Sequence, residues 1–142
     1  MIAHTSGDTA PPNRRRQTAA QRAVLTVLDS SEHFRSAQQL YRQLRQHPTH
    51  RFGLTTVYRV LRTLVEDRIA EIQRAEDGEL LYRIRATSEH RHYLLCRRCG
   101  RAEAFTSTPF EDQTRQLSRS FDYTDVTHHV DVYGVCPQCR DT

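Results

Sequence analysis

Two Cys-x-x-Cys pairs constrain the fold of this 142-residue chain more than any other feature of its sequence. Cys96 and Cys99 form the first pair, Cys136 and Cys139 form the second, and residues 100–135 separate them. Two such pairs closing on one ion supply four thiolates in a tetrahedral arrangement, which is typical of structural Zn²⁺. A redox role is less well supported, because no βαβ pattern surrounds either pair. The cysteines therefore predict a C-terminal lobe that is stabilised by a bound zinc ion.

The start of the chain indicates the compartment in which these thiols would work. The N-terminal sequence MIAHTSGDTAPPNRRR lacks the apolar segment of a secretory signal. No apolar run in the chain is long enough to span a membrane. We therefore expect a cytoplasmic protein without membrane association, whose cysteines stay reduced and bind metal rather than form disulfides.

The charge of the chain is distributed unevenly between its two parts. All 21 basic residues are arginine; residues 1–86 carry 14 of them against 9 acidic residues, whereas residues 87–142 carry 7 against 8. A basic N-terminal part suggests a polyanionic partner such as nucleic acid. By itself, this charge fits an ordinary solvated surface equally well.

Apolar residues at helical spacing predict three helices in the N-terminal part. The first covers about residues 19–31. Ser36 and Gln39 have the spacing of a capping box and predict the start of the second. The third is expected to be capped by Thr55 or Thr56.

Two short strands are predicted after the third helix. Residues 69–74 and 80–85 have strand-like composition, and residues 75–79 between them form a glycine-containing hairpin loop. Three helices and a hairpin make a winged helix-turn-helix domain, which we assign to residues 14–84. The polar residues 1–13, with two prolines, are predicted to be disordered.

The remainder of the chain is predicted to be a second, smaller domain. Residues 85–89 are its expected hinge to the winged helix. In residues 90–142 the predicted elements are strands at 91–96, 101–106 and 126–135 and a helix at about 109–121. The fold class is therefore α+β: an N-terminal winged helix-turn-helix and a small C-terminal α/β dimerisation domain with a four-cysteine zinc site.

The third helix is the expected recognition helix, because the second helix of a helix-turn-helix enters the major groove of DNA. Its apolar stripe is committed to the core, so the opposite face would contact bases and phosphates. The candidate DNA-binding residues on that face are Thr55, Thr56, Tyr58, Arg59 and Arg62. Arg14, Arg15 and Arg16 would extend as a basic arm.

Two histidines next to the first cysteine pair suggest a second metal site. His90 and His92 lie two residues apart, so they point to the same face of a strand. A closed site of four thiolates has no vacancy for them. Glu111 and either His128 or His129 are candidate partners, and the alternative is that all are surface residues.

Several segments of the chain occur in a specific order. They are GLTTVYRVLRTL, LYRIR, a His-x-His before CxxCG, and YGVCPQC. Together they resemble the ferric uptake regulator family of bacterial metal-sensing repressors, over about residues 16–142. FRSAQQLY and the all-cysteine second pair resemble its zinc uptake regulators. The resemblance implies a homodimer in which a bound metal closes the hinge, so that both winged helices fit a palindromic, double-stranded DNA operator.

The resemblance also implies two ligand sets. Cys96, Cys99, Cys136 and Cys139 match the structural zinc site of the family. His90, His92, Glu111 and His128 match a second, regulatory site. Three imidazoles and a carboxylate suit Zn²⁺ but also accept Fe²⁺, Ni²⁺ or Co²⁺. No small-molecule ligand other than metal ions is implied.

The hinge is where this chain departs from the family pattern. The residues at the positions of the family's hinge-sensing metal site are Phe34, Glu71, Arg85 or Ala86, Arg91 and Tyr93. Only Glu71 is a conventional ligand. The sequence therefore predicts a hinge without metal, in which Arg85 or Arg91 pairs with Glu71 and supplies a fixed positive charge.

The function that the sequence favours is metal-responsive transcriptional repression, with zinc as the expected signal. The alternatives are a constitutive DNA-binding protein with purely structural zinc, and a family paralogue that senses another metal or peroxide. An enzyme is not expected, because the chain has no His-Glu-x-x-His motif, phosphate-binding loop or nucleophile motif.

Overall fold

The chain is described here by a computed structural model, which covers residues 17–49, 51–86 and 91–142. Three helices, α1 (Ala19–Asp29), α2 (Ala37–Arg45) and α3 (Leu54–Glu66), bury their apolar stripes against one another. The side chains at the centre of this core are Val24, Leu28, Leu40, Leu44, Val57 and Leu61. Each repeats at three- or four-residue spacing within its helix, which is why the periodicity identified all three helices.

Helix caps set where these helices begin. Ser36 and Gln39 form the predicted capping box at α2, and Thr18 forms a second one with Gln21 at α1. The prediction that Thr55 or Thr56 caps α3 is wrong. The cap residue is Gly53, with extended backbone and no capping side chain, so both threonines lie in the first helical turn.

A three-stranded antiparallel sheet completes the N-terminal lobe. Strands β2 (Ala70–Arg74) and β3 (Leu80–Ile84) form the predicted hairpin, in which Gly78 has a φ of 90°. Strand β1 (Arg35–Ser36) pairs with the other edge of β3. Two residues are too few to show a periodicity, so the sequence did not indicate β1. The hairpin is the wing beside α3.

The C-terminal lobe contains a second three-stranded sheet. Strand β4 (His92–Cys96) lies between β5 (Ala102–Phe105), which is antiparallel to it, and β6 (Asp131–Gly134), which is parallel. Helix α4 (Thr108–Ser120) makes the crossover from β5 to β6, with Pro109 in its first turn as predicted. A short helix α5 (Pro137–Arg140) ends the lobe.

One strand boundary differs from its prediction in a way that affects a candidate site. The last strand was expected at residues 126–135, with His128 and His129 on it. Strand β6 starts only at Asp131, so both histidines lie in the irregular segment before it. Their side chains are therefore not constrained to alternate between two faces of a sheet.

The C-terminal lobe buries little apolar surface within one chain. Helix α4 has no buried residue at all. Large apolar side chains remain exposed on and after it, namely Phe110, Leu117, Phe121, Tyr123 and Val126. Such a contiguous apolar face is typical of a protein–protein contact surface.

The two lobes touch along the hairpin of the winged helix. Arg97, directly after β4, forms a two-pronged ion pair with Glu76 in the hairpin loop, at 2.9 and 3.2 Å. The Tyr133 hydroxyl donates a hydrogen bond to the carbonyl of Arg74, and Gln73 is hydrogen-bonded to Asp131. None of the helices in the described ranges is long and apolar enough to cross a membrane.

Candidate metal centres and nucleic-acid interface

The four cysteines converge from two turns, as their spacing predicts. Cys96 and Cys99 lie at the end of β4 and in the turn after it, and Cys136 and Cys139 lie at and within α5. All four sulfurs are within 4.8 Å of one another, and the Cys99 and Cys136 sulfurs are 3.7 Å apart. A tetrahedral Zn²⁺ with Zn–S bonds of about 2.3 Å separates its sulfurs by about 3.8 Å. The geometry therefore fits zinc.

Backbone N–H groups stabilise negative charge on the Cys96 sulfur. Burial acts to raise the pKa of Cys96, but backbone hydrogen bonds, including one from Cys136, outweigh it and lower the pKa to about 6. Burial raises the pKa of Cys99, and a shared hydrogen bond with Cys136 raises the pKa of Cys139 to about 12. Four adjacent thiolates repel one another, so their joint ionisation requires a cation among them.

A second ligand set lies on the opposite side of the C-terminal sheet from the winged helix. This histidine site consists of His92, Glu111 and His128. His92 is on β4 and is only 2% exposed, and Glu111 is in the first turn of α4. The Nε2 atoms of both histidines lie 3.1 Å from carboxylate oxygens of Glu111. The three ligand atoms are within 4.8 Å of one another.

The ligand chemistry of the histidine site fits a divalent cation. Two neutral imidazoles and one carboxylate are ligands that Zn²⁺ accepts, and Fe²⁺, Ni²⁺ and Co²⁺ accept them too. Of the two open alternatives, His128 belongs to the cluster, whereas His129 is exposed and is not part of it. His90, the fourth predicted ligand, lies outside the described residues.

Four side chains meet at the predicted hinge site and are called the hinge cluster below: Phe34, Glu71, Arg83 and Tyr93. Arg83 Nε donates to Glu71 Oε1 at 2.6 Å, and the Tyr93 hydroxyl donates to the same carboxylate at 3.1 Å. The Arg83 guanidinium lies 4.5 Å from the Phe34 ring centre and 4.9 Å from that of Tyr93. Burial, followed by the negative charge of Glu71, raises the pKa of Tyr93.

The expected partner of Glu71 was Arg85 or Arg91, and this expectation is wrong. Arg83 takes that place, because antiparallel pairing of β2 with β3 puts residues 71 and 83 directly opposite each other. The hairpin loop at 75–79 sets this register, so the signal was present in the sequence. Oppositely charged residues at facing positions of a hairpin are favourable pairs.

The predicted recognition face of α3 is exposed. Thr55, Tyr58, Arg59 and Arg62 lie at positions i, i+3, i+4 and i+7 and point away from the core, and Thr56 is half-buried. Arg62 forms an ion pair with Glu66 at 3.2 Å, which is solvent-exposed and therefore weak. Arg14, Arg15 and Arg16 lie outside the described residues.

A winged helix joined to a lobe with two clusters of metal-ligating side chains is the architecture of metal-dependent transcriptional regulators. The chain belongs to the ferric uptake regulator family, whose family model matches residues 13–133. The resemblance that the sequence motifs indicated is thereby confirmed.

Similarity to individual proteins of the family supports this assignment. The chain is similar to the zinc uptake regulation protein of Mycobacterium tuberculosis (strain ATCC 25618 / H37Rv), with 33% identity over 125 residues that cover 88% of this chain and 95% of the relative. The crystal structure of the Vibrio cholerae ferric uptake regulator matches with a TM-score of 0.65 and 27% identity, covering 85% of this chain and 92% of that one. A zinc uptake regulator in complex with zinc and DNA shares the fold, with a TM-score of 0.66, 22% identity and coverage of 89% and 84%.

Proposed function

We propose that this protein is a zinc-responsive transcriptional repressor that binds a palindromic operator as a homodimer in the cytoplasm. The observation that carries the proposal is the convergence of His92, Glu111 and His128 into a ligand set separate from the four cysteines. A protein that binds only a structural zinc ion does not need this second ligand set. The name of the Mycobacterium tuberculosis relative supports zinc as the signal. We assign the protein no enzymatic activity.

The proposal divides the chain into functional parts. Residues 14–84 are the DNA-binding domain, residues 85–89 the hinge, and residues 90–142 the metal-binding dimerisation domain. Cys96, Cys99, Cys136 and Cys139 hold the structural zinc. The regulatory ion is held by His90, His92, Glu111 and His128. Its charge offsets that of the Glu111 carboxylate, and its binding joins β4, α4 and the segment before β6.

Two surfaces connect these sites to the operator. The exposed face of α3 reads the DNA, with Arg14, Arg15 and Arg16 as an additional basic arm. The ferric uptake regulator of Vibrio cholerae likewise has DNA-binding domains. The apolar face of α4 with Phe121 and Tyr123 packs against a second copy of the chain. A symmetric dimer matches a palindromic operator.

The hinge cluster works in this proposal without a metal ion. Arg83 supplies the positive charge beside Glu71, and Phe34 and Tyr93 cover the pair. The Glu71 carboxylate is already satisfied by two donors, and its side chain is only 17% exposed. Signalling then depends on the histidine site.

The function is tested by measuring operator binding against free zinc by fluorescence anisotropy, with a buffer that leaves the thiolate-bound zinc in place. We expect affinity to rise by at least about tenfold when the histidine site fills, within the usual range of allosteric coupling. Constant affinity across the titration would favour a constitutive DNA-binding protein. A larger response to Fe²⁺ or to peroxide than to zinc would favour another sensor of the same family.

The same assay tests the assigned DNA interface. Arg59→Ala is expected to weaken operator binding by about 1–3 kcal/mol if the guanidinium contacts a base, or to reduce the salt dependence by about one ion if it contacts a phosphate. Arg115→Ala is the matched control, because it removes the same charge from α4. Equal effects of the two substitutions would contradict the interface.

The metal-free hinge is tested by elemental analysis. The fully loaded wild-type protein is expected to hold two ions per chain, and Glu71→Gln is expected to leave that number unchanged because Glu71 ligates neither ion. A third ion in the wild type, lost in Glu71→Gln, would show that the hinge binds metal after all.

A further inference from the structure

The turn that follows β4 touches the N-terminal lobe directly. This turn, residues 96–100, is called the cysteine knuckle below. The Phe34 N–H donates a hydrogen bond to the Gly100 carbonyl at 2.9 Å, and His33 Nδ1 lies 3.1 Å from the Cys99 carbonyl oxygen. Phe34 is only 2% exposed and comes directly before β1, which leads into α2. The knuckle therefore holds the segment from which the helix-turn-helix starts.

The approach of the two backbones at Gly100 leaves no space for a side chain. A Cβ atom at this position would lie 2.0 Å from the Phe34 carbonyl oxygen, well inside contact distance. Gly100 also has a φ of 78°, which L-residues rarely adopt. Two independent reasons thus demand glycine, and only the first concerns the contact between lobes.

The shape of the knuckle depends on the cysteine sulfurs. Gly100 N donates to the Cys96 carbonyl at 3.1 Å, and Arg101 N donates to Cys99 Sγ at 3.4 Å. An ion that holds the sulfurs of Cys96 and Cys99 therefore also holds the carbonyls of Cys99 and Gly100 in place. These are the carbonyls that face His33 and Phe34.

We propose that the four-cysteine site has a second role: through Gly100 and Phe34, it seats the DNA-binding lobe on the C-terminal lobe. Gly100 and Phe34 are positioning residues in this scheme, because they touch neither metal nor DNA. The inference rests on the proposed zinc occupancy of the cysteines but not on operator binding. The cysteine knuckle and the hinge cluster are then two separate contacts that hold the lobes together.

Gly78 provides a matched control for Gly100. It has a φ of 90°, close to that of Gly100, but a Cβ added there meets nothing within 4 Å. Gly78→Ala therefore introduces the backbone strain alone, whereas Gly100→Ala introduces the strain and the collision with Phe34. The difference between the two variants isolates the contact between the lobes.

The experiment measures exchange of the Phe34 amide by NMR in the full-length, zinc-loaded protein labelled uniformly with ¹⁵N. We expect exchange to become at least about tenfold faster in Gly100→Ala and to stay unchanged in Gly78→Ala. Zinc content, and the thiolate-to-metal absorption band of the Co²⁺-substituted protein, are expected to match the wild type in both. No DNA is present, so failure of operator binding cannot be mistaken for failure of this inference.

Two outcomes would overturn the proposal. Protection of the Phe34 amide that survives Gly100→Ala would show that the contact does not hold the segment. Loss of zinc from Gly100→Ala would place Gly100 in the metal site itself rather than in the contact. As a second measurement, removing zinc from the wild type with a chelator is expected to expose the Phe34 amide while amides in α1 and α3 stay protected. Unchanged Phe34 exchange after chelation would also contradict the proposal.

Discussion

Cys139→Ser is expected to remove one tightly held zinc ion per chain and to unfold the C-terminal lobe. Structural zinc in four-ligand sites contributes about 10–16 kcal/mol of apparent folding free energy. Small domains have a total stability of only about 5–15 kcal/mol. Since the lobe has no buried residue on α4, packing within one chain does not compensate for the lost ion.

The measurements are zinc stoichiometry by elemental analysis and thermal unfolding by circular dichroism. Cys139 belongs to a short, mostly exposed helix, so its substitution by serine removes little packing. Gln138→Ala, at the exposed neighbouring position, is the control and is expected to retain zinc and stability. A Cys139→Ser protein that keeps its zinc and its unfolding temperature would refute the structural assignment of the site.

His92→Ala has the second largest expected effect. It changes the regulation of operator binding rather than the folding of the C-terminal lobe. The substitution removes one imidazole from the histidine site and leaves the four cysteines intact. We expect operator affinity to lose its dependence on free zinc, which corresponds to a decrease of about 10–150-fold at saturating metal. The number of ions per chain is expected to fall from two to one.

Two further variants make the His92 result interpretable. His92 is almost fully buried, so a cavity contributes to the effect of alanine. His92→Gln keeps most of the volume and a donor for Glu111, and it is expected to abolish the zinc response with less loss of stability. His129→Ala removes an exposed histidine outside the cluster and is expected to behave as the wild type. A zinc response that persists in both His92 variants would move the sensor to another site.

Local patterns in the sequence were sufficient for much of the fold. The helical stripes, the Ser36 capping box and the glycine hairpin all depend on residues within a few positions of one another. Helix starts were less predictable. Threonine and glycine are about equally good N-cap residues by type, so residue type does not choose between Thr55, Thr56 and Gly53. Burial of Val57 and Leu61 sets the position of α3.

The candidate sites also differ in how far they could be predicted from local sequence patterns. Each cysteine pair is a local motif, so its sequence spacing alone indicated a metal site. The histidine site joins β4, α4 and an irregular segment. Residue types alone left the choice between His128 and His129 open, and the resemblance to the family favoured His128. The course of the chain before β6 decided for His128, since neither residue lies on the strand.

Local sequence patterns were enough to predict the class of fold, the four thiolate ligands, the exposed face of α3 and the departure from the family pattern at the hinge. Two contacts are visible only in the folded structure: the Tyr93 hydroxyl donates to Glu71, and the cysteine knuckle contacts Phe34. The physical reason is the range of the interactions. Periodicity, capping and ligand spacing act within a few residues, whereas the Gly100–Phe34 contact exists only once two lobes have folded and met.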